Sequence, residues 1–387
     1  MVYAGSAARG PAARVDAFTG ALLTEIGLRA DAADAAFGAP GSEGRPALET
    51  VYLGGGTPTL LPSSSIAGIL ALVRGRFGIA EGAEVTIESN PGPDERGVAR
   101  DLVAAGVNRL SLGVQAFEPG LLRRLGRRHR AADVAAAVAE ARDAGMMSVS
   151  VDLLYDVPGQ SEEAWARSVE AAIGLGVDHV SAYALTLDDP DGEGLTGPLG
   201  DHLPTTAGAR RWREAAVRDQ DDDRAAAQYT LAVERFAAAG FHGYEISNWG
   251  RPGHESRHNL VYWQRRPYEA VGPGAHAFDG SVRRFNAARL DGYLRALAPS
   301  DGSEPSLPPG ASEVVDPSKA AAEEAILALR LDSGVARGVA ESGPLAPHLD
   351  WALASGLLEA FDAADGPGLR LSTRGRLLSN ELFARLV

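Results

Sequence analysis

The chain has no cysteine among its 387 residues, which excludes disulfide bonds and thiolate metal ligands from the chemistry it can supply. No apolar run approaches the roughly 20 residues that span a bilayer, and the first residues lack the charged-then-apolar order of a signal peptide. Basic residues are in deficit, since 37 Lys and Arg stand against 51 Asp and Glu, a net charge of −14. This balance argues against nucleic acid or an anionic membrane as the main partner. We therefore expect a cytoplasmic protein with at most transient membrane contact.

Composition and length predict a globular chain with more than one domain. Hydrophobic residues make up 45% of the chain and charged residues 23%, and 387 residues exceed what one ordinary core organises. Short β-branched or apolar runs alternate with helical stretches at spacings of roughly 25 to 40 residues, which are typical of βα units and a parallel sheet. The predicted strands cover residues 51–53, 85–87, 110–114, 149–154 and 180–185. The predicted fold class is therefore α/β.

Two segments rich in Gly, Pro and polar residues divide the rest of the chain. Residues 190–223 are predicted to form a long excursion or linker, and residues 299–317 to precede a C-terminal domain. The helical patterns of that domain cover residues 320–331, 346–357 and 373–386. Between the last two, residues 358–361 and 369–371 flank a Gly/Pro turn and predict a hairpin. The order resembles a small winged-helix module, and the acidic charge favours a structural cap over a nucleic-acid role.

Chemistry-bearing side chains follow the predicted strands, at the ends where parallel sheets place their sites. The run GGGTPT at residues 54–59 permits positive φ and close approach of a ligand, with a tight strand-to-helix turn as the alternative. Glu88 is placed to hold an ammonium group, and Gln115 offers a two-sided hydrogen-bonding group. Asp152, inside an apolar run, needs a partner, and a structural ion pair is the alternative to a ligand role. Arg127, taken alone, is typical of a solvated helix-terminal charge.

These strings occur together in a recognisable order. GGGTPT, ESNP, NRLSLGVQAF, LGRRH, VDLLYDVPGQ and HVSAYALT resemble the oxygen-independent coproporphyrinogen III oxidase-like branch of the radical-SAM family. The resemblance implies a partial (β/α)6 TIM-like barrel and a site for S-adenosylmethionine. In that site, Gly55, Gly56 and Thr57 would contact the amino-acid end and Glu88 the ammonium group. The ribose and carboxylate side would be held by Gln115, Arg127 and Asp152.

The chain also departs from the pattern of this family. Ser150 stands where relatives often carry Asn, and Asp156 where Gly is usual, so an extra carboxylate could weaken ligand binding or be neutralised locally. Relatives hold a [4Fe–4S] cluster on a CxxxCxxC loop, for which this chain has no cysteine. We expect the loop and the first barrel strand to be missing just before Tyr3 through a misassigned start codon, which would leave an apolar edge at residues 51–53. A cluster-free paralogue is the alternative.

A second signature resembles the heme-chaperone group within this branch. It combines GYEISNW at residues 243–249 with an HNxxYW element formed by His258, Asn259, Tyr262 and Trp263. The resemblance implies heme binding, and the residues are compatible with it: an imidazole can ligate heme iron, and the aromatic rings offer a flat apolar surface. A helix would place His258 and Tyr262 on one face. The alternative for His258 is a hydrogen-bonded structural role. The competing imidazoles are His254, His276 and the pair His179 and His242.

The resemblance implies three candidate functions. The first is heme binding and delivery to an unknown acceptor protein, with S-adenosylmethionine and heme as cofactors and a cluster that this chain cannot ligate. The second is oxidative decarboxylation of coproporphyrinogen III, and the third is a cluster-free interaction module; whether the chain is an enzyme stays open. The expected domains are a barrel core at 1–189, last barrel elements with the heme-associated segment at 190–298, and the C-terminal domain at 318–387.

Overall fold

The computed structural model describes residues 12–299, 302–341, 343–363 and 366–387. The expected position of the cluster loop, before Tyr3, lies outside these residues. The described residues begin in the long helix α1 (Ala12–Phe37) and continue as βα repeats. The strands of these repeats are β1 (Leu48–Leu53), β2 (Ile79–Ser89), β3 (Arg109–Gln115), β4 (Ser148–Tyr155) and β5 (His179–Ala184). The helices between them are α2 (Ser63–Phe77), α3 (Ala99–Ala105), α4 (Pro119–Arg124), α5 (Ala131–Asp143) and α6 (Glu162–Gly174).

These strands form one sheet whose order explains where the site lies. Within the described residues the sheet has seven strands in the order β1-β2-β3-β4-β5-β7-β6, where β6 is His242–Gly243 and β7 is Asn248–Gly250. β1 to β5 run parallel, and β7 and β6 are antiparallel additions. The carboxyl ends of five strands therefore meet at one edge of the sheet. All five predicted strands and the α/β class are confirmed.

Each parallel strand is apolar on one face and polar on the other. Ile87, Leu112 and Val151 are fully buried in the main core, which they share with the helices. Their neighbours Ser111 and Asp152 point to the opposite face, because successive side chains of a strand alternate. This second face is the inner, polar wall of a half-barrel.

Helices and short strands close the half-barrel. They are α7 (Ala207–Val217), α8 (Asp222–Ala238), α9 (Arg257–Trp263), β8 (His276–Phe278), β9 (Val282–Asn286), α10 (Leu290–Leu297) and β10 (Gly310–Val314). The segment 190–223, predicted as a long excursion or linker, contains α7, and Thr206 caps that helix by accepting from the Ala209 amide. Residues 299–317 likewise contain β10, which pairs with β9.

The C-terminal part has its own small core around Leu329, Leu349 and Leu382. Its elements are α11 (Pro317–Arg330), β11 (Val335–Ala336), α12 (Arg337–Glu341), α13 (Ala346–Ala354), β12 (Leu358–Ala363), β13 (Gly366–Leu371), α14 (Thr373–Leu377) and α15 (Ser379–Leu386). The predicted hairpin is present as β12 and β13, with β11 paired to β13. The helix predicted over 373–386 is interrupted at Leu378, whose φ of −110° and ψ of 24° lie outside the helical range.

A buried carboxylate ties α1 to the closing elements. Glu25 is fully buried and accepts hydrogen bonds from the Gly272 amide (2.8 Å), the Asn286 side-chain amide (2.8 Å) and the Tyr293 hydroxyl (2.7 Å). Arg29 lies 3.2 Å away as its counter-ion. The network fixes the turn at Gly272 against the barrel. Among the helices in the described ranges, none is long and apolar enough to cross a membrane.

Candidate functional site

The glycine run after β1 curls around the carboxylate of Glu88. Gly55 and Gly56 have φ of 88° and 136°, values that favour glycine. The Gly55 amide donates to Oε2 of Glu88 at 2.9 Å, and the Tyr52 hydroxyl donates to Oε1 at 2.8 Å. A Cβ on Gly54 would lie 2.9 Å from Oε1 of Glu88 and against the Tyr52 ring. The loop therefore leaves room only for glycine at the place where Glu88 is anchored.

Asp152 lies on the same polar wall, half-buried. Ser111 Oγ donates to its carboxylate at 3.1 Å, and Ser181 is a second hydroxyl partner. Burial, together with the negative charge of Glu88, raises the pKa of Asp152 to about 6. The expected partners of the Asp152 carboxylate are therefore the hydroxyl groups of Ser111 and Ser181. Two neighbouring carboxylates at the end of a sheet suit a cationic ligand, because a positive charge between them would relieve their repulsion.

Hydrogen bonds through Asn90 link Thr57 to Arg127, and Gln115 lies beside them. Asn90 donates to Oγ1 of Thr57 at 2.9 Å and accepts from the Arg127 guanidinium at 2.8 Å. Gln115 has a φ of 66° where the β3–β4 register shifts, and a Cβ on Gly113 would lie 3.2 Å from both its amide nitrogen and Asn90 Oδ1. Arg127 is therefore not a solvated helix-terminal charge. The structure brings Thr57, Gln115 and Arg127 together around Asn90.

The two side chains that depart from the family pattern, Ser150 and Asp156, both have nearby polar partners. Ser150 Oγ lies 2.8 Å from Nδ1 of His179, whose Nε2 lies 2.9 Å from the Tyr244 hydroxyl. Asp156 has a φ of 54°, which explains why glycine is usual at this position. Its buried carboxylate accepts from Arg224 Nε at 2.9 Å, so the added negative charge is neutralised away from Glu88 and Asp152.

The helix α9 contains the HNLVYW segment, residues 258–263, and its N-terminus is hydrogen-bonded to the sheet. Glu84 on β2 accepts from the amides of Arg257 (3.0 Å) and His258 (3.1 Å), and Ser256 Oγ accepts from Asn259. A carboxylate at a helix N-terminus satisfies unpaired amides and complements the helix dipole. The position of the HNLVYW segment is therefore set by the barrel wall.

Both ring nitrogens of His258 are hydrogen-bonded. Nδ1 lies 2.8 Å from Thr50 Oγ1, and Nε2 lies 2.8 Å from the Tyr262 hydroxyl. The ring also stacks on Tyr52, with centroids 5.0 Å apart and an interplanar angle of 18°. Burial lowers the pKa of His258 to about 4, so the imidazole is neutral at pH 7. His258 and Tyr262 share one helix face as predicted, and they bond to each other.

A cavity of about 900 Å³ lies beside β1 and α9. Its lining includes Tyr52, His258, Tyr262, Trp263, Tyr268 and Phe278. Nε1 of Trp263 is buried and has no hydrogen-bond partner among the described residues. Asn259 lies on the same helix outside this lining. The volume is in the range of pockets that bind cofactor-sized ligands.

The other imidazoles differ in their access to this cavity. His276 lines it, and its Nε2 lies 3.1 Å from Asp201, which also lies 2.8 Å from Nδ1 of His202. His179 is buried and bonded at both nitrogens. His254 and His242 are outside the lining.

Comparison with known proteins identifies the family. The Radical SAM superfamily model matches residues 41–172. The heme chaperone HemW of Mycobacterium tuberculosis (strain H37Rv) is 38% identical over 370 residues, which cover 95% of this chain and 85% of the relative. The chain belongs to the HemW family. HemW of Bacillus subtilis (strain 168) is 30% identical over 88% of this chain and 86% of its own length. The solved structure of coproporphyrinogen III oxidase HemN from Escherichia coli has the same fold, with a TM-score of 0.73 at 21% identity, covering 96% of this chain and 83% of that one.

HemW membership and the radical-SAM match imply S-adenosylmethionine and an iron–sulfur cluster at family level. The residues at the carboxyl ends of β1 to β4 fit the first, because an amide-lined glycine turn, two carboxylates and polar amides converge there. They do not fit the second, since none of the 387 residues is cysteine. Sequence reasoning missed Tyr52, Asn90, Ser111 and Glu84. Three of them could have been found from the sequence, because Tyr52, Ser111 and Glu84 lie at the polar positions of strands in which apolar and polar residues alternate.

Proposed function

We propose that this member of the HemW family binds heme in the cavity beside β1 and passes it to an acceptor protein in the cytoplasm. The observation that carries the proposal is the location of the HNLVYW helix, which places Tyr262 and Trp263 on the wall of that cavity. A flat apolar macrocycle fits an aromatic lining. The buried indole N–H of Trp263, which has no hydrogen-bond partner within the described part of the chain, is a donor that a bound ligand could satisfy.

His258 is the first candidate ligand for heme iron. Its neutral imidazole is the form that coordinates a metal, and it lines the cavity. Coordination at Nε2 requires the Tyr262 hydroxyl to leave that nitrogen, while Thr50 can keep Nδ1 in place as an orienting partner. His276 is the competing candidate, because it lines the same cavity and is oriented by Asp201.

The proposed S-adenosylmethionine site is the mouth formed by the carboxyl ends of β1 to β4. Gly55, Gly56 and Thr57 would contact the amino-acid end of the ligand. Glu88 would accept from its ammonium group while Tyr52 keeps that carboxylate in place. Gln115, Arg127 and Asp152 would hold the ribose and carboxylate side. Together with a reduced cluster, this cofactor supplies radical chemistry when bound, and this chain offers no thiolate for that cluster.

The decarboxylase alternative has weaker support. The likeness to HemN at 21% identity concerns the fold, whereas the relatives that match across most of the chain carry the name heme chaperone. No contact at the site points to decarboxylation of coproporphyrinogen III.

Hemin titration followed by absorbance tests the proposal. The full chain is expected to give a saturable Soret shift at about one hemin per chain, and His258→Ala is expected to weaken binding or change the iron spectrum. His276→Ala serves as the comparison variant on the same cavity. Absence of saturable hemin binding by the wild-type chain would overturn the proposal. Formation of decarboxylated porphyrin from coproporphyrinogen III under anaerobic turnover would instead support the enzyme alternative.

A further inference from the structure

Two arginines on the cavity wall share a single carboxylate. Arg265 follows α9, Arg283 lies on β9, and Glu323 lies on α11. Nε of Arg265 is 3.4 Å from Oε2 of Glu323, and Nη2 of Arg283 forms an ion pair with Oε1. All three side chains line the cavity. The cluster thus places two positive charges and one negative charge next to the aromatic part of a lining that also includes Glu49, Arg266 and Glu269.

Phe278 holds the two guanidinium groups next to the apolar lining. The centre of the Arg265 guanidinium lies 4.8 Å from the Phe278 ring centroid, and that of Arg283 lies 5.8 Å from it. Cation–π contact keeps such groups beside an aromatic face without consuming their hydrogen-bond donors. The Arg283 side chain is 42% exposed and that of Arg265 18% exposed, so Arg283 lies nearer the rim.

Arg265 shows two further signs that its side chain is required at this position. Its φ is 52°, a left-handed conformation that usually selects glycine or asparagine after a helix. Its Nε is buried and forms no hydrogen bond with any residue that the structure describes, even though Glu323 is its ion-pair partner. Arg265 therefore has a donor beside the cavity that its ion pair with Glu323 does not satisfy by a hydrogen bond, and a carboxylate bound in the cavity is an acceptor of matching charge.

We propose that Arg265 and Arg283 bind the two propionate groups of heme at the rim of this cavity, an inference that rests on the proposed heme-binding function. Heme is a flat apolar macrocycle with two carboxylates on one edge. The forked guanidinium group binds a carboxylate through two parallel hydrogen bonds, which a lysine cannot reproduce. The macrocycle then packs toward Tyr262 and Phe278, and Glu323 competes with the propionates for the same donors.

The test compares hemin with hemin dimethyl ester, which keeps the macrocycle and iron but lacks both carboxylates. The full wild-type chain is expected to bind hemin about ten-fold more tightly than the diester, or better, because hydrogen bonds between charged groups are lost with the ester. Arg283→Gln is expected to weaken hemin binding by about the same factor and to leave diester binding unchanged. Glu323→Gln is expected to tighten hemin binding, since the competing carboxylate is removed.

Arg235→Gln is the matched control, because Arg235 forms an exposed ion pair with Glu170 away from the cavity. Arg265→Gln is a second variant, provided that its circular dichroism spectrum matches that of the wild-type chain. If the spectra differ, Arg283→Gln alone decides the question. Equal affinity of the wild-type chain for hemin and its diester would overturn the inference and leave heme binding in place. Equal weakening of both ligands by Arg283→Gln would also overturn it. Absence of hemin binding altogether would overturn the proposed function and this inference with it.

Discussion

The hydroxyl of Tyr52 donates a 2.8 Å hydrogen bond to Oε1 of Glu88. The ring of Tyr52 also stacks on the ring of His258, with a centroid distance of 5.0 Å. One side chain therefore contacts both the mouth of the parallel sheet and the helix that carries HNLVYW. The two proposed ligand sites are neighbours that share a residue.

Glu88→Gln is expected to weaken S-adenosylmethionine binding about ten-fold, because it removes a charged acceptor for the ammonium group. Heme binding is expected to stay unchanged, since the glutamine carbonyl can still accept from Tyr52 and keep the ring on His258. Tyr52→Ala, by contrast, is expected to weaken both ligands. Equilibrium dialysis with S-adenosylmethionine and hemin absorbance on the same preparations measure the two affinities. A loss of heme affinity in Glu88→Gln equal to that in Tyr52→Ala would contradict the shared-residue arrangement.

Asp152→Asn is expected to stabilise the fold at pH 8 by about 1–2 kcal/mol while weakening S-adenosylmethionine binding. The pKa of Asp152 in the folded chain, about 6, lies above the usual value near 3.8, so the ionised carboxylate disfavours folding at high pH. The penalty begins to shrink as pH falls through 6 and is lost only near 3.8, where the carboxyl is protonated in both the folded and the unfolded chain, so the asparagine loses its advantage between these two pH values. Urea unfolding at pH 8.0 and pH 4.0 checks the sign. An equal gain at both pH values would show that the charge of Asp152 is not the cause.

Heme affinity is expected to be flat between pH 6 and 8.5 if His258 is the iron ligand. Its pKa of about 4 keeps the imidazole neutral throughout this range, so no proton competes with iron. Binding should decline only as pH falls toward 4, where His258 takes up a proton. Hemin titrations across the pH series measure this. An inflection near pH 6.5 in the wild-type chain would indicate an imidazole with an ordinary pKa and turn attention from His258 to another histidine.

Glu25→Ala is expected to lower the free energy of unfolding by about 3–5 kcal/mol, because it leaves the largely buried Arg29 without its counter-ion and several buried donors without an acceptor. Glu140→Ala is the control: its ion pair with Arg96 lies at the surface, with Glu140 49% exposed, and its loss should cost about 1 kcal/mol or less. Urea denaturation of both variants gives the comparison. Similar losses in the two variants would show that the Glu25 network does not act as a buried unit.

Local chemistry made much of the fold predictable from the sequence. The β-branched runs give the parallel strands, and the glycines at 55 and 56 adopt the positive φ that their residue type permits. α7 was missed because the surrounding Asp, Pro and Gly residues hid a short Ala- and Arg-rich stretch that Thr206 caps. β10 was missed because it is a strand only through pairing with β9, which no local pattern records.

In the candidate site too, a contact between residues close in sequence could be predicted, whereas contacts between residues far apart in sequence could not. The i, i+4 contact of His258 with Tyr262 follows from helix periodicity. The partner at Nδ1 could not be predicted, since Thr50 lies 208 residues away in the chain and meets His258 only after the barrel forms. The same holds for Glu84, whose role as the cap of α9 spans 173 residues to Arg257.

In the described residues β1 pairs with β2 alone, and its residues from Leu48 to Tyr52 line the large cavity. An unpaired strand edge is a template on which another copy of the chain can add a strand. A ligand seated against that edge shields it. The proposed heme binding would therefore also protect the chain from aggregation, and dynamic light scattering is expected to show the hemin-loaded chain dispersed at concentrations where the ligand-free chain self-associates.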